Sequence, residues 1–257
     1  MIDTNDSVNS YSMNCGITLE AFMFQSFWSH LKHRHRFWRY AVRTERESIA
    51  YIQSLDLKGT TVLDIGANRG VFTYWLSQCV GSSGNVVAFE AQPELKETIQ
   101  EVERMFKLTN VDLRMTALSD ACGTTTFNRA YAGHGGGSIE TDSSEHIESE
   151  TIEVETTTLD TIKDSLPRPI QFIKCDVEGH EDSVFKGATQ LLSEDKPVIL
   201  VEIHECAVPS IADQLHQLGY SGSFIAGSQQ FPISDFNSQP YRKDGEVHRN
   251  YIFEFTA

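Results

Sequence analysis

Five short apolar runs, at residues 61–65, 86–90, 111–116, 170–176 and 198–202, recur along the chain, each too short for a helix and bounded by Gly, Pro or Asn. Runs of this length with such borders predict strands buried on both faces. Between them, helical spacings occupy 70–79, 93–106, 181–192 and 210–218. Strands alternating with helices predict parallel βαβ units with right-handed crossovers, so the expected class is α/β, a doubly wound, Rossmann-like and mostly parallel sheet.

Other stretches depart from that rhythm. Residues 123–128 and 151–155 alternate Thr or Glu with apolar residues and flank Gly133-His134-Gly135-Gly136-Gly137-Ser138. They predict a small antiparallel β insert over about residues 121–157, with the glycine loop as a lid. The alternating run at 250–256 predicts an antiparallel C-terminal strand joining the sheet edge. Upstream, Leu19, Phe22, Met23, Phe27, Leu31, Phe37, Trp38, Ala41, Ile49 and Ile52 fit two helices broken near residues 33–36. The expected organisation is a flexible leader at 1–16, an N-terminal helical cap at 17–57 and the main domain at 58–257.

Composition narrows the partners. With 21 basic against 36 acidic residues the net charge is −15, which repels polyphosphate and disfavours a nucleic-acid partner. The local exception is Lys32, Arg34, Arg36, Arg39, Arg43 and Arg46, the solvated face of a helix or a surface for an acidic partner. The cysteines Cys15, Cys79, Cys122, Cys175 and Cys206 show no CxxC spacing and suit free thiols in a reducing compartment. The polar N-terminus lacks a secretion signal, and no apolar stretch approaches ~18 residues, so a cytoplasmic chain without a membrane span is expected.

The candidate chemistry begins at Val62-Leu63-Asp64-Ile65-Gly66-Ala67-Asn68-Arg69-Gly70, a strand, a glycine turn and a helix start. Gly66 permits a positive φ or a close backbone approach, and Gly70 opens a helix whose free N–H groups face a ligand. Glu90, 20 residues beyond Gly70, closes the second strand where such folds set an acid against ribose hydroxyls. Spacing alone leaves NAD and S-adenosylmethionine open. The turn lacks the Gly-x-Gly-x-x-Gly that cradles a pyrophosphate, and Asp64 suits a cationic group such as the ammonium of a methionine moiety.

The motifs VLDIGANRGVFT at 62–73, VVAFEAQP at 86–93, ALSD at 117–120, TTLDTI at 157–162, FIKCDVEGHE at 172–181 and VILVEIH at 198–204 resemble the FkbM-type family of class I S-adenosylmethionine-dependent methyltransferases. The likeness spans about residues 60–205. It implies a cofactor site in which Asp64 and Gly66 lie near the methionine part and Glu90 on the ribose, with Asn68, Gly70 and Ala91 also among the cofactor-binding residues. Ala117 and Leu118 would then lie against the adenine and Asp176 beside the methyl donor. Gln92 and Cys175 depart from the family's usual residues, and the position of His180 is varied in that family.

Methyl transfer to a hydroxyl needs alignment and removal of its proton. Asp176 and Glu178 stand two residues apart at the end of the fourth strand, and Glu202 and His204 repeat that spacing on the next. Asp176, Glu178 and His204 are the expected catalytic members, and no metal ligand is assigned, direct base catalysis being preferred to a divalent ion. Glu181 and Asp182 are expected only to favour the following helix N-terminus. The expected activity is O-methylation of a hydroxyl on a sugar, glycan or secondary metabolite. A non-catalytic cofactor-binding interaction module and methylation of a nitrogen acceptor are the alternatives; methylation of a base nitrogen in DNA or RNA usually shows an Asn/Asp-Pro-Pro-aromatic run where Asp176-Val177-Glu178-Gly179 stands.

Overall fold

In the computed structural model, residues 35, 37, 39, 45–132, 137–139, 150–226, 229–238 and 250–256 are described. The chain divides into two units, Met1–Arg39 and Tyr40–Ala257, and every element below belongs to the second. The expected leader, and Lys32, Arg34, Arg36 and Arg43 of the basic cluster, lie outside the described residues.

In chain order the second unit runs α1 (Arg46–Ser54), β1 (Thr61–Ile65), α2 (Val71–Val80), β2 (Asn85–Phe89), α3 (Leu95–Phe106), β3 (Val111–Arg114), β4 (Ala117–Leu118), β5 (Gly123–Arg129) and β6 (Glu150–Thr157). It continues with α4 (Leu159–Ile162), β7 (Ile170–Cys175), α5 (Glu181–Lys186), α6 (Thr189–Asp195), β8 (Val198–Glu202), α7 (Val208–Gln217), β9 (Tyr220–Ala226), β10 (Gln229–Pro232) and β11 (Asn250–Phe255). The eight-stranded main sheet has the order β10-β9-β11-β8-β7-β1-β2-β3. Strands β3, β2, β1, β7 and β8 are mutually parallel, as the alternation of short apolar runs with helices predicts. The order reverses at β1, with β2 on one side and β7 on the other, and at such a switch point the carboxyl ends of the strands leave a crevice.

Strand alternation gives each face its own core. Leu63, Ile65, Val87, Phe89, Ile173 and Val201 point to one side, under α5, α6 and α7. Val62, Val86, Phe172, Leu200 and Ile252 point to the other, under Ile52 of α1 and Leu76 and Val80 of α2. The predicted insert forms a separate three-stranded sheet, β4-β6-β5, in which β5 and β6 are antiparallel.

Two features differ from the sequence expectation. Strand β11 pairs antiparallel with β8 and β9 inside the sheet rather than at its edge. Its Tyr251, Ile252 and Phe253 are all buried, as suits a strand paired on both sides, and the unforeseen hairpin β9–β10 takes the edge. Ser and Gly interrupt the apolar pattern of β9, and Gly222 is needed there because a Cβ would lie 2.6 Å from the Phe253 ring. The helix expected at 181–192 is broken into α5 and α6. At the break, a Cβ on Gly187 would lie 2.0 Å from the Ser119 carbonyl oxygen, so this glycine lets the chain press against the end of β4. No helix among the described residues is long and apolar enough to cross a membrane.

Candidate active site

The turn after β1 ties three strand ends together. The N–H groups of Gly66 and Ala67 both donate to the Phe89 carbonyl, at 3.0 and 2.9 Å, and Asp176 N–H donates to the Ile65 carbonyl at 3.0 Å. Gly66 has φ +81°, and a Cβ there would lie 1.9 Å from the Asp176 carbonyl oxygen. Gly70 also has a positive φ, +75°, but a Cβ on it would meet only Ile99 and Val102 side chains at ordinary distances. Its glycine serves backbone conformation rather than close packing of helix on strand.

Glu90 is 5% exposed and anchors the next turn. One oxygen accepts the Asn68 N–H at 2.7 Å and the other the Gln92 N–H at 2.9 Å. Burial pushes its carboxyl above the usual range, against these backbone amides and that of Ala91, which favour the charged form. Asn68 itself sits at φ +51°, and its buried Oδ1 accepts no hydrogen bond among the described residues.

These groups border a cleft that opens to solvent. Of the sequence-predicted cofactor residues, Gly66, Asn68, Glu90, Ala91, Ala117, Leu118 and Asp176 line it, as does Glu178. Asp64 and Gly70 do not. The Asp64 carboxylate lies 1% exposed and accepts the Thr73 hydroxyl at 2.5 Å. Burial raises its pKa to about 6, against Thr73 and Lys174. The insert borders the cleft with Phe127 of β5 and with Gly137 and Ile139, while residues 133–136 of the glycine loop lie outside the described residues. Gly137 has no room for a side chain, since a Cβ would lie 2.5 Å from the Phe127 ring. The insert is held at both sides of the cleft. Arg129 makes a two-pronged pair with Glu94, at 2.6 and 2.9 Å, and Ser138 Oγ donates to the Glu178 carbonyl at 2.6 Å.

After β7 the chain turns through Glu178 at φ +52° and Gly179 at φ +96°. Glu181 Oε1 fastens this turn by accepting the Val177 and Gly179 N–H groups, at 3.2 and 3.0 Å, a role beyond the helix-terminus effect expected of it. His180 is buried, lines the cleft and has Nε2 3.0 Å from Ser119 Oγ. His204, just past β8, is exposed and outside the cleft lining. Sequence reasoning passed over Lys174, which is 1% exposed with Nζ 3.2 Å from Asp176 Oδ2 and 4.7 Å from the centre of the Phe72 ring. A charged residue inside an apolar strand was the available signal. Among the described residues no group of three or more His, Cys, Asp and Glu side chains is arranged to hold a metal ion.

Residues 64–221 match the Methyltransferase FkbM domain family. Hexuronic acid methyltransferase AglP from Haloferax volcanii is 26% identical over 203 residues, 74% of this chain and 79% of that protein. The crystal structure of methyltransferase FkbM from Methylobacillus flagellatus is similar with a TM-score of 0.54 at 15% identity. The match covers 78% of this chain but only 45% of that one. SMU.1697c from Streptococcus mutans, solved with S-adenosylhomocysteine, matches with a TM-score of 0.50 at 12% identity, over 83% of this chain and 98% of that one.

Proposed function

The chain belongs to the FkbM methyltransferase family, and from that premise we propose that it transfers a methyl group from S-adenosylmethionine to a hydroxyl of a sugar, glycan or other metabolite. The observation that carries the reading is continuity: Asp176 and Glu178 line the same cleft as Glu90 and Asn68, so donor-binding and acceptor-facing polar groups share one space. The hexuronic acid methyltransferase relative supports a sugar acceptor.

The residues fit the cofactor. Glu90, fixed by two backbone amides, would hold the ribose hydroxyls, and the orphaned Asn68 Oδ1 would accept from a donor such as the methionine ammonium. Ala117 and Leu118, beneath Phe127, would flank the adenine. When bound, S-adenosylmethionine supplies an electrophilic methyl group on a sulfonium. Asp64 lies behind the turn, so we assign it to holding α2 through Thr73 and to the charge balance around Lys174. Asp176 and Glu178 orient the acceptor, with His204 on the solvent side of the same strand ends. The insert, fastened by Arg129 and Ser138, limits water above the donor.

Incubation of the purified chain with methyl-labelled S-adenosylmethionine and a panel of neutral sugars and uronic acids tests the proposal. Label incorporated in an alkali-stable ether supports it, whereas an alkali-labile ester places the methyl on a carboxylate instead. Cofactor binding with no transfer to any acceptor would favour a non-catalytic module.

A further inference from the structure

The turn after β7 places Asp176 and Glu178 in the cleft lining, and Glu178 does so from the left-handed region, at φ +52°, followed by Gly179 at φ +96°. Among the described residues the other non-glycine positive φ values belong to Asn68, also in the cleft lining, and to Lys107 and Lys196, which end α3 and α6. A branched-free but bulky side chain is strained in this region and stays there only where its surroundings over-determine it. For Glu178 those surroundings can be named.

The Asp176 N–H is fixed to β1 by the Ile65 carbonyl, and Ser138 of the insert donates to the Glu178 carbonyl. Between these ties, Glu181 Oε1 accepts the N–H groups of Val177 and Gly179, the residues on either side of Glu178, at 3.2 and 3.0 Å. Glu181 is 1% exposed and lines no part of the cleft, so it reaches the site only through the turn. Its Oε2 is buried with no hydrogen-bond partner among the described residues, which leaves the clasp by Oε1 as the work of this carboxyl. We propose that Glu181 is a positioning residue for methyl transfer: by clasping the amides that flank Glu178 it holds that residue left-handed and sets where the Glu178 carboxylate meets the acceptor. This rests on the reading of methyl transfer to a hydroxyl with Glu178 orienting the acceptor.

The clasp needs an acceptor oxygen rather than a charge. Burial pushes the Glu181 carboxyl upward, opposed by the backbone amides it accepts. Glutamine offers a carbonyl oxygen at the same reach, and its amide nitrogen would take the Oε2 position, where no bond is lost; alanine offers no acceptor. The donor side of the cleft stands on other groups, since Glu90 is anchored to the amides of Asn68 and Gln92 and Gly66 is locked against the Asp176 carbonyl. Loosening the clasp therefore displaces the acceptor side and spares the donor side.

Amide hydrogen exchange followed by NMR in the whole chain tests the clasp without an acceptor. The Val177 and Gly179 amides are expected to exchange about 10-fold or more faster in Glu181→Ala than in the wild type, and at near wild-type rates in Glu181→Gln. If Glu181→Ala does not fold, Glu181→Asp, whose carboxylate falls one methylene short, takes its place. Unchanged exchange in the shortened variant overturns the proposal. With an acceptor from the sugar panel, Glu181→Ala is expected to lower kcat roughly 10- to 100-fold, Glu181→Gln to retain most of it, and both to bind S-adenosylhomocysteine as the wild type does. Added to Glu178→Ala, Glu181→Ala should slow turnover little further, because it acts through that carboxylate. Turnover in Glu181→Gln as low as in Glu181→Ala, additive losses in the double variant, or loss of S-adenosylhomocysteine affinity in step with turnover each overturns the proposal. Absence of transfer in the wild type is a failure of the function reading, and exchange at Val177 and Gly179 still decides for or against the clasp.

Discussion

Gly66 and Asp176 meet backbone to backbone, so closely that a Cβ on Gly66 would lie 1.9 Å from the Asp176 carbonyl oxygen. The contact locks the turn after β1 against the turn after β7 and thereby sets the width of the cleft. Gly66→Ala must part these turns and hold a side chain at positive φ, which costs ~3 kcal/mol or more. Gly70→Ala meets no such obstacle and costs only the ~1–2 kcal/mol of a left-handed non-glycine residue. Urea denaturation of the two variants should show this order, and equal losses would contradict the assignment of close approach to Gly66 alone.

The Arg129–Glu94 pair predicts an asymmetry. Removing Arg129 frees Glu94 and Glu150, which are about half exposed and regain water, so Arg129→Met should cost ~1–2 kcal/mol. Glu94→Ala strands a guanidinium whose side chain is 1% exposed, with only the longer Glu150 contact left, and should cost more, ~2–4 kcal/mol. Both variants loosen the insert over the cleft. Thermal melts with and without S-adenosylhomocysteine should show a smaller ligand-induced rise in both than in the wild type.

Stability should fall as pH rises through the range in which the raised carboxyls ionise. Folded Glu202 keeps its proton to about pH 7, whereas unfolded glutamate loses it near ~4.3. The folded state therefore binds more protons between these values, and rising pH favours the unfolded chain. Asp64, raised to about 6, acts with the same sign. Relative to Glu202→Gln, the wild type should lose roughly 2–3 kcal/mol between about pH 4 and pH 8. Denaturation at several pH values checks this, and a constant difference between the two proteins would contradict it.

Much of this arrangement could be read from residue order because it depends on local spacing. Val62–Ile65, the glycines and Glu90 lie within one βαβ unit, where strand length and the 20-residue interval constrain geometry directly. The strand-end pair Asp176 and Glu178 was legible for the same reason. What escaped depends on elements distant in sequence. Lys174 is buried on a central strand beside β1, where Asp64 is its register partner, and no periodicity in 170–176 encodes that neighbour. The break at Gly187 answers to Ser119, and the interior place of β11 answers to the β9–β10 hairpin. Asp64 was expected at the cofactor from its position in the motif; its carboxylate is buried against the Thr73 hydroxyl and is not among the groups that line the cleft.

The central claim is that the cleft at the ends of β1, β2 and β7 holds S-adenosylmethionine with Glu90 on its ribose. Calorimetric titration of the wild type and Glu90→Gln with S-adenosylhomocysteine tests it most directly, with thermal melts to establish that both are folded. Loss of charge-assisted hydrogen bonds worth ~1.5–3 kcal/mol should weaken binding by roughly 10- to 100-fold in Glu90→Gln. Equal affinity in the two proteins, or no binding to the folded wild type, would contradict the account.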